Sequence, residues 1–314
     1  MRDVLRIGWL VLLALTGIAV SAAAPPRSTR HEIQAGGLSR SYRLHAPPSL
    51  DRSRPSPLVL VFHGGRGDGE SVERLTGFDA LADREGFLVA YPDGFGKQWN
   101  DGRDVADFET YRKGVDDVAF VSALIDAIAK EHAVDPRRVF ATGISNGGIF
   151  SHYLGARLST RIAAIAPVAG GVAEPFRARF KPERPVSVLI LNGTEDPLVP
   201  YGGGNVGGTH GRVLSTEDAV RLWTAADGCA APPKIEILPD TDPADACRAT
   251  RSTWTGGRDG AEVVLYTFEG GGHTWPGGPQ YLPKLVIGRV CRDVDATRII
   301  WDFFKAHPGS DRRP

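Results

Sequence analysis

The segment that decides the fold is Arg138-Val139-Phe140-Ala141-Thr142-Gly143-Ile144-Ser145-Asn146-Gly147-Gly148. Its first five residues are an apolar run typical of a buried strand, and a helical pattern covers Gly147 to Leu158. Between them, Gly143 to Gly147 matches G-x-S-x-G, a strand-to-helix turn that holds a serine hydroxyl at the tip of a sheet. Glycines on both sides allow a strained backbone that a Cβ would obstruct. We therefore predict that Ser145 is a nucleophile; the alternative is a glycine-rich turn with a capping serine.

Short apolar runs alternate with amphipathic stretches along most of the chain. This alternation predicts the α/β class, a mostly parallel sheet with helices on both faces. Leu38 to His45 alternates weakly, as an antiparallel edge strand would, and Tyr201 to Gly211 is expected to be a mobile loop. The predicted strands are Leu58–Phe62, Phe87–Tyr91, Arg138–Thr142, Ile162–Ala166, Val186–Leu191 and Val263–Phe268, and the predicted helices are Ser71–Glu85, Val115–His132, Gly147–Leu158 and Asp293–Lys305.

A serine hydroxyl needs a base, and the base needs an orienting carboxylate. In α/β-hydrolases these partners follow the serine in the order acid, then histidine. Asp196 follows the predicted strand at Val186–Leu191, and Glu195 beside it is the competing acid. His273 follows the last predicted strand. Ser145, Asp196 and His273 are therefore predicted to form a catalytic triad, although either acid could instead be a solvated loop residue and His273 a surface loop histidine.

A tetrahedral intermediate on such a serine also requires hydrogen-bond donors for its oxyanion. One predicted donor is the backbone N–H of Asn146, the residue after the nucleophile. The other should come from His63-Gly64-Gly65, which follows a strand and resembles the H-G-G element of esterases. Gly65 is the preferred donor and Gly64 the second choice. His63 is expected to orient this loop.

Composition excludes several other classes of function. The chain has 314 residues, of which 37 are Lys or Arg and 37 are Asp or Glu, so no basic excess favours nucleic-acid binding. The G-x-G-x-x-G match at Gly202 to Gly207 follows no predicted strand, which argues against a dinucleotide site. No grouping of Cys and His has zinc spacing and no calcium loop is present, so neither a metal nor another cofactor is expected.

The first 24 residues have the pattern of a secretory signal peptide. Arg2 and Arg6 flank the start of an apolar stretch, Ile7 to Val20, and small residues follow at Ser21 to Ala24. These 14 residues are fewer than the roughly 20 that a membrane-spanning helix needs. We therefore expect residues 25–314 to form one exported hydrolase domain without a membrane span, extracellular or periplasmic, with its oligomeric state left open.

Export makes a disulfide permissible. Cys229 and Cys247 bracket a turn-rich segment, and a bond between them would stabilise the fold by about 3 kcal/mol. Three cysteines allow three different single bridges, so the sequence does not fix the pairing. The expected bridge is Cys229–Cys247, which leaves Cys291 as a buried free thiol.

Six motifs are spread along the chain: Tyr91-Pro92-Asp93-Gly94, Trp99-Asn100-Asp101-Gly102, Val115-Asp116-Asp117-Val118, Gly143-Ile144-Ser145-Asn146-Gly147-Gly148, Ile165-Ala166-Pro167-Val168-Ala169-Gly170 and Gly271-Gly272-His273-Thr274-Trp275-Pro276-Gly277. Together they resemble the motifs of the polyhydroxybutyrate depolymerase/feruloyl esterase family, secreted α/β-hydrolases related to carbohydrate esterase family 1. The resemblance covers about residues 30 to 306.

The resemblance implies a cofactor-independent carboxylester hydrolase with Ser145, Asp196 and His273 as its triad. Trp99 and Trp275 are expected either to line the acyl or aromatic pocket or to pack in the core. Asn100-Asp101 and Asp116-Asp117 are expected to tie loops together beneath the site.

Two substrate classes remain open: short polyhydroxyalkanoate (3-hydroxybutyrate) esters or oligomers, and feruloyl or acetyl esters of plant polysaccharide. Larger depolymerases of this kind often carry a separate binding module, which the sequence does not show, and this favours soluble or oligomeric esters. The minor alternative is a catalytically inactive hydrolase fold that serves as a binding protein.

Overall fold

A ten-stranded sheet forms the centre of the protein in a computed structural model, which describes residues 27–230 and 232–310. The strands are β1 (Thr29–Ala35), β2 (Leu38–His45), β3 (Ser56–Phe62), β4 (Leu88–Pro92), β5 (Val134–Ile144), β6 (Ala164–Val168), β7 (Ser187–Gly193), β8 (Gly204–Asn205), β9 (Arg212–Val213), β10 (Lys234–Ile237), β11 (Arg248–Trp254) and β12 (Val263–Glu269). They are paired in the order β1-β2-β4-β3-β5-β6-β7-β12-β11-β10, and a separate two-stranded ribbon joins β8 to β9.

The middle of the sheet, from β4 to β12, is entirely parallel, and both edges are antiparallel. Parallel strands end at the same edge of a sheet, so the segments after β3, β5, β7 and β12 all emerge on one side. This edge is where an open α/β sheet usually carries its site.

Helices cover both faces of the sheet. They are α1 (Gly69–Thr76), α2 (Phe78–Glu85), α3 (Glu109–Arg112), α4 (Asp117–Glu131), α5 (Asn146–Arg157), α6 (Thr216–Asp227), α7 (Lys284–Ile287) and α8 (Ala296–Ala306). The apolar side chains of α4, α5 and α6 pack on one face, and those of α1, α2 and α8 pack on the other. This architecture confirms the predicted α/β-hydrolase class.

All six predicted strands and all four predicted helical regions are present, with two differences. The stretch Ser71–Glu85 is two helices, because Gly77 takes a left-handed conformation (φ 64°) that ends α1 before α2 begins. Leu38–His45 is antiparallel as predicted, but it is not the edge strand, since β1 pairs outside it.

The predicted pairing of Cys229 with Cys247 is wrong. Cys229 is half-buried, packs on the face that carries α4 and α5, and donates to the carbonyl oxygen of Ala261. Cys247 lies in the apolar layer on the opposite face, together with Cys291. The sequence spacing favoured the wrong partner because it does not reveal which face of the sheet each cysteine reaches.

Cys247 and Cys291 are neighbours in that layer. The Asp245 carboxylate accepts from the backbone N–H of Cys247 (2.8 Å) and from that of Arg292 (2.7 Å), which holds the two cysteine segments side by side. Both cysteines are buried.

We expect the protein purified under oxidising conditions to contain a Cys247–Cys291 disulfide and a free thiol at Cys229. Non-reducing peptide mapping by mass spectrometry should recover the two peptides linked, and alkylation without reductant should label Cys229 only. Cys229→Ser should keep the linked peptides, whereas Cys291→Ser should lose them. A linked peptide pair that contains Cys229 would contradict this assignment.

The segment 1–24, expected to be a signal peptide, lies outside the described residues. Among the described residues, no helix is both long enough and apolar enough to cross a lipid bilayer.

Candidate active site

Ser145 lies at the turn between β5, which ends at Ile144, and α5, which begins at Asn146. Its backbone is in an unusual conformation for a residue with a Cβ (φ 61°, ψ −122°). The Ser145 N–H donates to the carbonyl oxygen of Val168 (3.0 Å), which ties the turn to the end of β6. Strain of this kind persists only where the surrounding structure enforces it, and it is frequent at functional sites.

The neighbouring glycines are required because other backbone atoms approach them closely. A Cβ on Gly143 would lie 2.5 Å from the carbonyl oxygen of Phe62, and a Cβ on Gly147 would lie 2.2 Å from the same atom. The sequence motif was therefore interpreted correctly as a tight turn, but the positive φ belongs to Ser145, and the two flanking glycines provide room for β3.

Asp196 and His273 follow β7 and β12, which are adjacent parallel strands. The Nδ1 of His273 and the Oδ2 of Asp196 are 2.7 Å apart, and both side chains are buried. The other carboxylate oxygen of Asp196 accepts from the N–H groups of Leu198 and Val199, both at 2.8 Å. A carboxylate can only accept, so Nδ1 of His273 carries the proton and Nε2 is left as an acceptor.

Glu195, the competing acid, is exposed. Its backbone N–H donates to the carbonyl oxygen of Gly271 (2.9 Å), so its role in the structure is to align the loop after β7 with the loop after β12. The structure places Asp196, and not Glu195, against the imidazole of His273.

The loop that carries His273 is held by a segment that the sequence analysis did not single out. The Tyr281 hydroxyl donates to the carbonyl oxygen of His273 (2.9 Å), and the His273 N–H donates to that of Ile287. No motif marks Tyr281, because its contact with His273 depends on how residues 278–288 fold back over the site.

Ser145 and His273 line the same cavity, of about 350 Å³, which we call the apolar pocket. Its remaining walls come from the loop after β3, from α1 and from the segment around Tyr281. Its apolar lining residues are Val72, Leu75, Ile144, Leu198, Tyr281, Leu282 and Ile287.

The loop after β3 lies directly against Ser145. A Cβ on Gly64 would be 3.3 Å from the Cβ of Ser145. His63, which precedes it, is buried, and its Nε2 accepts from the N–H of Gly94 (2.9 Å), so its Nδ1 carries the proton and donates to the carbonyl oxygen of Gly64 (2.7 Å). Burial lowers the pKa of His63 and keeps the ring neutral. His63 therefore orients the loop, as predicted.

Asn146 is the first residue of α5, so its backbone N–H has no acceptor within the helix. Its side chain is buried and fixed: Oδ1 accepts from the N–H of Trp99 (2.9 Å) and Nδ2 donates to Oδ2 of Asp101 (2.6 Å). Asp101 is in turn paired with Arg103 (2.7 Å) and accepts from the hydroxyl of Tyr111 (2.8 Å). Asp101 thus ties a loop beneath the site, as the motif predicted.

The predicted pocket role of the two tryptophans is wrong. Trp99 is fully buried, stacks on Phe150 and donates through Nε1 to the carbonyl oxygen of His63 (3.0 Å). Trp275 is buried on the other face of the sheet, and its Nε1 donates to the hydroxyl of Thr297 (3.0 Å). Both belong to the core, which is the alternative that the sequence left open.

A second cavity, of about 630 Å³, also reaches Ser145 and Asn146, and we call it the polar cleft. Gly65, Arg66 and Leu198 border both cavities. The glycine-rich loop between β7 and α6 forms one wall of the cleft and includes His210, whose carbonyl oxygen accepts from Nη1 of Arg103 (2.7 Å). Its other lining residues are Gly96, Gln98, Asp107, Phe108, Glu109, Arg112, Val206 and Gly207.

Within residues 27–230 and 232–310, no three His, Cys, Asp or Glu side chains are grouped so that they could hold a metal ion.

Comparison with known proteins identifies the fold and the family of the chain. Two solved structures share the fold: "Acetyl xylan esterase from Aspergillus awamori" (TM-score 0.55, 16% identity, 78% of this chain and 94% of the other) and "Crystal Structure of pOPH Native" (TM-score 0.55, 15% identity, 92% and 90%). The sequence model of the family "Esterase PHB depolymerase" matches residues 40–178.

Curated relatives extend the match along the chain. "Putative esterase NocK" of Nocardia uniformis subsp. tsuyamanensis is 33% identical over 292 residues, which cover 89% of this chain and 83% of the relative. "Feruloyl esterase B" of Piromyces equi is 30% identical over 236 residues, which cover 72% of this chain and 41% of the relative. The protein is an α/β-hydrolase of the carboxylic ester hydrolase class. Within that class, the chain belongs to the polyhydroxybutyrate depolymerase/feruloyl esterase family.

Proposed function

We propose that Ser145, Asp196 and His273 are the catalytic triad of this esterase. The observation that carries the proposal is the buried 2.7 Å contact between His273 and Asp196, with His273 and the strained Ser145 on one cavity. The hydroxyl oxygen of Ser145 attacks the ester carbonyl while Nε2 of His273 takes its proton, and Asp196 stabilises the resulting imidazolium. His273 then gives that proton to the departing alcohol, and the acyl-enzyme is hydrolysed by water activated in the same way.

The oxyanion of each tetrahedral intermediate is proposed to receive hydrogen bonds from the backbone N–H groups of Asn146 and Gly65, with Gly64 as the alternative. The N–H of Asn146 is free of the helix, and the loop that carries Gly64 and Gly65 touches Ser145. His63 and the Asp101–Asn146 hydrogen bond hold these donors in place before the charge develops. Preorganised donors of this kind each lower the barrier by about 3 kcal/mol.

For the substrate, we propose short 3-hydroxybutyrate esters or oligomers. The apolar pocket beside Ser145 suits a small acyl group, and the polar cleft can receive the alcohol side. Feruloyl or acetyl esters of plant polysaccharide are the second candidate, because relatives carry the names "Feruloyl esterase B" and "Bifunctional acetylxylan esterase/xylanase XynS20E". We further propose that the chain is exported after removal of residues 1–24.

One substrate panel separates these candidates. We expect kcat/KM for a 3-hydroxybutyrate trimer to exceed that for methyl ferulate and for acetylated xylan by at least about tenfold, a difference of roughly 1.4 kcal/mol in transition-state binding. The panel is measured under one set of conditions, with the same enzyme preparation and with solid polyhydroxybutyrate granules as a fourth substrate. Faster hydrolysis of methyl ferulate or acetylated xylan would transfer the assignment to the second candidate, and efficient granule hydrolysis would refute the preference for soluble esters.

A further inference from the structure

Arg66 occupies the junction between the apolar pocket and the polar cleft. It follows Gly65, a proposed oxyanion donor, and it lines both cavities beside Ser145. Its side chain is exposed, and its backbone is left-handed (φ 65°) with the N–H bound to the carbonyl oxygen of Lys97 (2.9 Å). Glycine would adopt this φ without strain, whereas arginine is strained in it. Backbone strain of this kind is common at functional sites.

The charge of Arg66 is not neutralised within the described part of the chain. Arg66 and Arg112 both line the polar cleft and neither forms an ion pair with another described residue. In contrast, Arg103 in the same cleft is paired with Asp101 (2.7 Å), and Glu109 is paired with Lys113 (2.8 Å). Arg66 therefore keeps an unpaired guanidinium group at the cleft, whereas the charge of Arg112 acts on Glu109. Asp107 is the cleft carboxylate that has no ion-pair partner among the described residues.

Gln98 adds an unused polar group at the same place. Its side-chain oxygen is buried and has no hydrogen-bond partner among the described residues, and it lies 3.1 Å from the position that a Cβ on Gly65 would occupy. Buried polar groups in native proteins are nearly always paired, so an orphan that lines a cleft beside a nucleophile points to a bound ligand as its partner. The group that would satisfy this oxygen is a hydrogen-bond donor such as a hydroxyl, so Gln98 marks a ligand in the cleft but does not itself bind a carboxylate.

We propose that Arg66 is a specificity-determining residue that binds a free carboxylate on the alcohol side of the scissile ester. This inference rests on the proposed function and narrows its substrate to esters whose leaving group is a hydroxy acid. In the last ester bond of a 3-hydroxybutyrate oligomer, the leaving oxygen is bonded to C3 of the terminal unit, and the carboxylate of that unit is C1. This carboxylate is therefore close enough to the scissile bond to be reached by Arg66, which borders both cavities. A guanidinium fork matches the geometry of a carboxylate, and Arg112 adds a second positive charge to the cleft.

The bonds and atoms exchanged in this reaction are those of ordinary ester hydrolysis. The bond between the acyl carbon and the alcohol oxygen breaks, water supplies a hydroxyl to the acyl carbon and a proton to the alcohol, and one 3-hydroxybutyrate leaves with its original carboxylate. An ester of a neutral sugar offers no carboxylate at this position, so Arg66 would favour the first of the two proposed substrate classes over the second.

The test compares the dimer of 3-hydroxybutyrate as its free acid with the methyl ester of the same dimer, which lacks the charge. The wild-type protein should hydrolyse the free acid with at least about tenfold higher kcat/KM at the ester bond between the two units, as expected for a charge-assisted contact. Arg66→Gln keeps part of the aliphatic side chain and leaves a residue with a Cβ in the same left-handed conformation, but it removes the charge. It should lower the ratio of kcat/KM for the free acid to kcat/KM for the methyl ester about tenfold, chiefly by raising KM for the free acid. Arg66→Lys should restore part of the ratio, and Asp107→Asn should raise it.

Arg157→Gln is the matched control, because Arg157 is an exposed arginine at the far end of α5 and loses the same charge. For Arg157→Gln, the ratio of kcat/KM for the free-acid dimer to kcat/KM for its methyl ester should equal that of the wild type. Equal rates for acid and methyl ester in the wild type, or an equal loss of both in Arg66→Gln, would overturn the proposal. Hydrolysis of p-nitrophenyl butyrate and its loss in Ser145→Ala test the triad separately, so failure of the carboxylate subsite is distinguishable from failure of the proposed function.

Discussion

Replacing Ser145 with alanine should lower kcat for p-nitrophenyl butyrate by about 10⁴- to 10⁶-fold, the loss seen when a serine nucleophile is removed from a triad. The reason is that no covalent acyl-enzyme can form, and only the oxyanion donors and substrate binding remain to assist a direct attack by water. Initial rates over a range of substrate concentrations measure the effect, and mass spectrometry after a short incubation should find the acylated protein only in the wild type.

The structure allows this loss to be assigned to chemistry. The Ser145 side chain makes no capping hydrogen bond to α5, so alanine removes a hydroxyl without removing a helix contact. Thermal unfolding of Ser145→Ala should therefore match the wild type. Ser53→Ala is a suitable control, because Ser53 is exposed and its hydroxyl donates to Asp51. Retained hydrolysis in Ser145→Ala with normal folding would remove Ser145 from the mechanism.

The parallel middle of the sheet could be predicted because strands buried on both faces are continuous apolar runs. β3 and β7 are buried at every position, and their runs stand out from the flanking sequence. The sequence does not predict the edge strand β10 for the opposite reason: β10 is short and mostly exposed, with Ile235 and Ile237 at 64% and 81% exposure. Such a segment has neither an apolar run nor a buried face to mark it.

The approach of Asp196 to His273 could be predicted from the order serine, acid, histidine and from the position of each residue after a predicted strand. Each residue follows a strand, β7 and β12 are parallel neighbours, and parallel strands bring their following loops to one edge. The positions of the Trp99 and Trp275 rings could not be predicted in this way. Nearness to a motif along the chain does not show whether a ring faces a cavity or the core. The sequence does not predict the polar cleft either, since its walls come from loops that lie far apart in the chain.

Replacing Asp196 with asparagine should lower kcat about 10⁴-fold while leaving the fold intact. The N–H groups of Leu198 and Val199 both donate to Oδ1 of Asp196, so they should hold the amide oxygen of the substituted side chain at that position. The amide nitrogen is then directed at Nδ1 of His273, the atom that lies 2.7 Å from Oδ2 in the wild type. An NH₂ group can only donate, so Nδ1 must become the acceptor and the ring proton moves to Nε2.

With its proton on Nε2, His273 cannot take the proton of Ser145, and it has no carboxylate to stabilise an imidazolium. The loss should therefore fall on kcat, with KM nearly unchanged. Glu195→Gln provides the matched comparison, because Glu195 is the adjacent acid, is exposed, and meets the His273 loop through its backbone N–H. We expect Glu195→Gln to hydrolyse p-nitrophenyl butyrate at the wild-type rate. The reverse pattern, in which Glu195→Gln is inactive and Asp196→Asn is active, would mean that the loop after β7 rearranges during catalysis and that Glu195 orients the imidazole.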